Sequence, residues 1–230
     1  MRTMVDEGVI KFHAEHRTEA LPARRYGDVA CTLVAWREIL AKTRLVGQEP
    51  GLYGGFGYGN VSARVGAPSA PRRRRPFLIT GTQTSGKACM ALSDFCLIES
   101  CDPTRNHVES LGETMPSSES MTHGAIYGLG SHIRVVLHTH SAIIWRRARE
   151  LRIPTTDPNV PYGTPEMARE VERLYRSSAL PDLGILAMGG HEDGIVAFGR
   201  TAEEAGQVTL RYLARAYQTH CATHGGLCDR

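Results

Sequence analysis

Residues 134–142, RVVLHTHSA, constrain this chain more than any other stretch. The valine-rich run ahead of His138 is short and continuous, as in a buried strand over residues 134–138. Side chains at i and i+2 of a strand share a face, so His138 and His140 project the same way where the strand ends. Two neutral imidazoles on one face make a metal chelate, each nitrogen at roughly 2.0–2.1 Å from a zinc ion. A third ligand must come from elsewhere in the chain. The turn Gly189-Gly190-His191-Glu192-Asp193-Gly194 offers candidates.

The other elements interleave with this strand. Tyr26 to Lys42 carries Val29, Leu33, Trp36 and Leu40 at helical spacing. A glycine-dense loop, GLYGGFGYGNVSARV, then runs into a short strand at 61–65. FLIT (77–80) and DFCLIES (94–100) read as further strands. PSSESMTHGAIYG opens a helix with Pro-Ser-Ser, and Thr164-Pro165-Glu166 opens another with a cap, a proline and an acid. GILAM (184–188) and GIVAFG (194–199) are close enough to form a hairpin, which predicts antiparallel pairing. Thr201 and Glu204 form a capping box for a last helix through about Tyr217. With no internal repeat or long linker, the whole of 1–230 reads as one layered α/β domain, with 1–25 and 218–230 peripheral.

Composition excludes several partners. Charged residues make up 22% of the 230 residues and the net charge is +3, which gives no field for nucleic acid. The run Arg72-Arg73-Arg74-Arg75, set between Pro71 and Pro76, reads as a solvated loop. MRTMVDEGVIKFHAEH has no apolar core of signal-peptide length, and no segment is long enough to span a membrane. A cytoplasmic location is expected, with Cys31, Cys89, Cys96, Cys101, Cys221 and Cys228 as free thiols. Cys221, His224 and Cys228 form the alternative, a C-terminal metal site, against which free thiols are the expected state.

Neither glycine motif is a dinucleotide or triphosphate site. GGFGYGN lacks the GxGxxG spacing and follows a helix. Gly81-Thr-Gln-Thr-Ser-Gly86-Lys87 has P-loop spacing, yet Ala88 stands where a hydroxyl would hold magnesium. What remains is a loop of hydroxyls and backbone donors suited to one phosphate. Ser117 and Ser118 sit at a helix start, where free N–H groups attract anions but where plain capping is also common. Glu119 and His123, four apart, share a helical face, either as a surface pair or as a pair behind an active site.

Taken in order, GNVSAR (59–64), FLIT…TSG (77–86), PSSE (116–119), HTHS (138–141), YGTPEMAREV (162–171) and the His191 segment resemble the class II aldolase/adducin family. That family includes L-fuculose-1-phosphate aldolase and L-ribulose-5-phosphate 4-epimerase. The resemblance implies a three-layer α/β/α sandwich around a mostly antiparallel sheet, commonly assembled as a homotetramer. It implies zinc, or another divalent metal, on His138, His140 and His191, with Glu119 as catalytic acid/base and His123 behind it. Asn60, Ser85, Gly86, Ser117 and Ser118 would bind phosphate. The implied activity is that of a metal-dependent lyase of carbohydrate metabolism. It would cleave or form a carbon–carbon bond beside the carbonyl of a small sugar phosphate, through a metal-stabilised enediolate. A dehydratase or decarboxylase of the same fold fits the same motifs, and a metal-free adducin-like binding module is the reading from another class. One departure stands out: family members carry His-Gly at the third ligand, whereas Glu192 and Asp193 here separate His191 from Gly194. Either acid is therefore open as a further ligand.

Overall fold

The computed structural model describes residues 8–67, 69–72 and 74–224. In chain order the elements are β1 (His13–Arg17), α1 (Ala23–Lys42), β2 (Gly47–Gln48), β3 (Gly57–Tyr58), β4 (Asn60–Arg64), β5 (Phe77–Thr80), β6 (Phe95–Asp102), β7 (His107–Leu111), α2 (Ser120–Leu129), β8 (Val135–His140), α3 (Ala142–Arg146), α4 (Pro165–Ser177), α5 (Leu180–Leu183), β9 (Ile185–Ala187), β10 (Gly194–Gly199) and α6 (Ala202–His224). Eight strands form one sheet in the order β1-β7-β6-β5-β4-β8-β10-β9, while β2 and β3 pair separately. Every neighbouring pair in the large sheet is antiparallel except β1 and β7.

The period of two along each strand divides the core into layers. Phe77, Ile79, Ile98, Val136 and Val196 face Met121 and Ile126 of α2 and Met167 and Val171 of α4. On the other face Leu78, Phe95, Leu97, Val135 and Leu137 meet Leu33 and Leu40 of α1 and Ala205 of α6. Ile195 and Ala197 complete that side against Ile144 of α3 and Val208 and Tyr212 of α6. The result is the expected α/β/α sandwich. His138 and His140 continue the series begun by Val136, so both lie on the α2–α4 side.

Several boundaries differ from the sequence expectation. β8 runs two residues past His138 and takes in His140, since β10 pairs with it as far as Gly194. The PSSES helix starts at Ser120, which leaves Ser117 and Ser118 in the preceding turn and Glu119 at the cap position. α6 continues to His224 instead of ending near Tyr217. Thr201 Oγ1 accepts from Glu204 N–H at 3.2 Å, but the Glu204 carboxylate caps Arg200 N–H at 2.6 Å, one residue earlier than a capping box predicts. β1 and β7 are polar strands without an apolar period, and the sequence signals gave no sign of them. The segment ahead of residue 25 supplies the sheet's edge strand and the start of α1.

The arginine run is more anchored than a solvated loop. Arg72 pairs with Glu172 of α4, and Arg75 donates to the carbonyl of Tyr127 in α2. Arg73 lies outside the described residues. Cys31, Cys89, Cys96, Cys101 and Cys221 are free thiols. Cys228 and the His224 side chain fall outside the described residues, and with them the C-terminal metal site. No helix among the described residues is long and apolar enough to cross a membrane.

Candidate metal centre

One strand and one turn bring the histidines together: β8 carries His138 and His140, and the turn between β9 and β10 carries His191. His138 sits opposite Asn60 of β4 and Val196 of β10, and His140 sits opposite Gly194, where a Cβ would come 3.2 Å from the His191 ring. His191 comes from the turn between β9 and β10. That turn is closed by His191 N–H to Met188 O at 3.2 Å and Gly194 N–H to His191 O at 3.0 Å. Its approach to the 156–160 segment requires glycine, because a Cβ on Gly190 would lie 2.0 Å from the Val160 carbonyl oxygen.

The ligand atoms of His138, His140 and His191 all lie within 4.8 Å of one another, and all three residues are buried. His138 Nε2 and His140 Nε2 are 3.2 Å apart. Two nitrogens on one tetrahedral ion, each at about 2.05 Å, are separated by roughly 3.3 Å. The His138–His140 spacing therefore fits a small divalent ion such as zinc. Burial, then the charges of the two neighbouring rings, push His140 well below the usual histidine range, so its ring is neutral and able to ligate.

Glu119 closes the fourth side. Its Oε1 is 3.2 Å from His191 Nδ1, and it is 2% exposed. Neither carboxylate oxygen has an aligned hydrogen bond among the described residues. Burial raises its pKa, but the approach of His191, the charges of His138 and His191 and the Thr122 hydroxyl outweigh that and hold it at about 2. The ionised carboxylate thus depends on positive charge at this spot. A dication on three neutral imidazoles supplies that charge without asking three crowded rings to protonate. A buried carboxylate set against a ring cluster marks a site made for a cation, and the residues present fit a divalent metal.

A further shell fixes the rings. Tyr162 stacks on His191, and Lys11 Nζ lies 3.7 Å over the Tyr162 ring. Gly163, at φ +68°, lets the chain after Tyr162 pass close to Ser118, since a Cβ there would meet Ser118 O at 2.7 Å. Tyr53 lies edge-on to His140, with ring centroids 4.6 Å apart, and donates its hydroxyl to Asp193 Oδ2 at 2.8 Å. Asp193 is thereby turned to Tyr53 and does not belong to the histidine cluster, while Glu192 is exposed. His123 is fully buried, which rules out a surface pair with Glu119. Its Nδ1 is 2.7 Å from Ser62 Oγ, which in turn lies 2.7 Å from Tyr127 OH. Neither Tyr53 nor Tyr162 has a role assigned from the sequence, although Tyr162 opens the YGTPEMAREV motif and Tyr53 lies inside the glycine-dense loop.

The residues expected to hold phosphate fall into two groups. Ser117 Oγ accepts from Glu119 N–H at 3.3 Å, and both Ser117 and Ser118 are buried beside the start of α2. Asn60 and Ser85 line a small pocket with Thr80 and Thr84, and Ser85 Oγ donates to Gly59 O at 2.7 Å. Gly86 follows on the surface, against the Gln48 side chain. The two groups are linked through Thr82 N–H, which donates to Met115 O at 3.0 Å, and through the Gly81–Pro116 bridge.

This chain belongs to the class II aldolase/adducin family, because the Class II Aldolase and Adducin N-terminal domain matches residues 37–220. No curated protein matches it. Among solved structures it is similar to an L-fuculose 1-phosphate aldolase, with 20% identity, 88% of this chain and 91% of that one covered, and a TM-score of 0.60. The L-fuculose-1-phosphate aldolase of Thermus thermophilus is 19% identical over 91% of this chain and 100% of its own, with a TM-score of 0.59. A sugar-phosphate aldolase from Thermotoga maritima gives 17%, 88%, 99% and 0.61 for the same quantities. At these identities the likeness establishes the fold alone.

Proposed function

We propose that this chain is a metal-dependent lyase that makes or breaks a carbon–carbon bond beside the carbonyl of a small sugar phosphate. The observation that carries the reading is the buried cluster of His138, His140 and His191, with Glu119 Oε1 3.2 Å from His191 Nδ1. Zinc is the metal that the three-imidazole donor set suits best. Bound there, it would supply Lewis-acid stabilisation of the negative charge that develops on the substrate's carbonyl oxygen.

The chain's own residues do the rest. Glu119, held as a carboxylate, removes the proton from the carbon beside the carbonyl in the bond-forming direction and returns it in cleavage. Ser117 and Ser118, at the start of α2, hold the phosphate where the helix dipole favours an anion. Asn60, Ser85 and Gly86 complete that subsite from the loop side. His123 is a positioning residue that packs α2 onto β4 through Ser62. By the same resemblance the working form is a homotetramer, and light scattering at micromolar concentration reads its mass.

The test is to incubate the zinc-loaded protein with a panel of ketose phosphates and follow aldehyde release. Solvent-deuterium exchange beside the carbonyl is read in parallel. Cleavage or exchange that depends on both metal and Glu119 supports the reading. Water loss or decarboxylation without either overturns it.

A further inference from the structure

The outer edge of the sheet carries a second ring cluster, far from the catalytic motifs. β1 and β7 pair in parallel with His13 opposite His107 and Glu15 opposite Glu109. The register puts the two imidazoles side by side, with ring centroids 5.4 Å apart. Glu15, two residues beyond His13, shares its face of the strand. His107 Nε2 is 3.1 Å from Glu15 Oε1, and one ligand atom from each of His13, Glu15 and His107 lies within 4.8 Å of the others.

We propose that His13, Glu15 and His107 form a second divalent-metal site, carried by the parallel register that sets His13 against His107 with Glu15 on the same face. Two ligands on one ion at about 2.0–2.2 Å are separated by roughly 2.9 Å at a right angle and 3.4 Å at the tetrahedral angle. The 3.1 Å contact falls between these values. An ordinary cross-strand ion pair accounts for Glu15 and His107 but leaves His13 without a part. Two imidazoles and one carboxylate select zinc, nickel or copper over calcium or magnesium. His13 and Glu15 are exposed, so water can complete the coordination, and Glu15 also borders an open cavity of about 690 Å³. An ion there pins β1, which among the described residues pairs with β7 at the sheet edge, in its register. The residues just ahead of β1 reach the buried centre: Val9 N–H donates to Tyr162 OH at 3.1 Å, and Lys11 lies over the same ring.

The site is tested in the untagged, reduced full chain carrying His138→Ala/His140→Ala, which takes the buried centre out of the titration. Zinc is added calorimetrically, and far-UV circular dichroism checks the fold. One saturable equivalent is expected, weakened about tenfold or more by His13→Gln or by His107→Gln. Should the double-alanine background not fold, equilibrium dialysis of the wild-type chain replaces it. Two equivalents are then expected, with one lost in His13→Gln. Absence of any equivalent beyond the buried centre overturns the proposal, as does one that both glutamine variants leave unchanged.

Discussion

Tyr162 stacks on His191 with ring centroids 4.4 Å apart and 28° between the planes. His191 lies in a turn, away from the strand that holds the other two rings, so its orientation depends on what packs against it. Tyr162 supplies one face and Glu119 meets Nδ1. Tyr162→Phe keeps the stack and removes the hydroxyl that meets Val9, so its zinc affinity should match wild type. Tyr162→Ala should weaken zinc by about 10-fold to 100-fold, the usual cost of losing a group that orients a ligand. Competition with a chelating dye measures both. Equal affinity in the alanine variant would show that the turn alone sets the ring.

His138→Ala/His140→Ala should lose one equivalent of metal while retaining secondary structure. The two rings lie at the end of β8, where the pairing with β4 and β10 is made by backbone groups that the substitutions do not touch. Elemental analysis with circular dichroism reads both quantities. Full metal content in the variant would remove the buried centre from consideration.

The legibility of this site follows the range of each interaction. His138 and His140 were readable as a pair because the period of a strand is a property of the local backbone. The Tyr53–Asp193 hydrogen bond spans 140 residues and depends on the glycine loop meeting the β9–β10 turn, which no local pattern encodes. For the same reason Asp193 stood open as a ligand until its side chain was seen turned to Tyr53. β1 and β7 escaped notice because HAEHR and HVESL carry no apolar alternation; pairing at the sheet edge holds them. The start of α2 shifted because Ser117 and Ser118 form a turn of their own, with Ser120 Oγ donating to Ser117 O at 2.7 Å.

Cys96 and Cys101 should resist alkylation in the native chain. Burial pushes both thiols up to about 12, the larger cause in each, which leaves almost no thiolate at neutral pH. Cys31 and Cys89 are exposed and should react first with a maleimide. Peptide mapping after a short labelling pulse distinguishes the four. Rapid modification of Cys101 without loss of structure would contradict the packing of β6 against α2.

Acid should destabilise the metal-free chain partly through His123. Burial, then the charge of His138, lower its pKa to about 3 from 6.5, against the opposing pull of Glu119. Between those values the unfolded chain binds a proton that the native ring refuses. Stability therefore rises with pH across that window, and the contribution is fully present above pH 6.5 and lost as pH falls. Integrated, it amounts to roughly 5 kcal/mol. His123→Gln cannot take up the proton, so its stability should fall less steeply below pH 6.5, by up to about 1.4 kcal/mol per pH unit. Urea unfolding at several pH values, at one protein concentration, gives the slopes. Parallel slopes would mean that His123 is already protonated in the native state.

Glu119→Gln separates binding from chemistry. The carboxylate stands at the cap position of α2, and glutamine preserves its length and leaves the helix start to Ser117 and Ser120. What changes is the negative charge beside His191 and the capacity to take a proton. Metal content and fold should be retained, because Glu119 does not belong to the histidine cluster. Turnover should fall by roughly 10²–10⁴, the worth of a positioned acid/base group. The pH profile adds a second readout. Glu119 is held well below the usual carboxylate range, so no acidic limb near pH 4 to 5 should arise from the wild-type base. Exchange of the substrate's α-proton with deuterated solvent, measured in the zinc-loaded protein, isolates the proton step from bond cleavage. Wild-type exchange by Glu119→Gln would assign the base to another residue, and loss of exchange together with loss of zinc would make Glu119 a structural element of the metal centre.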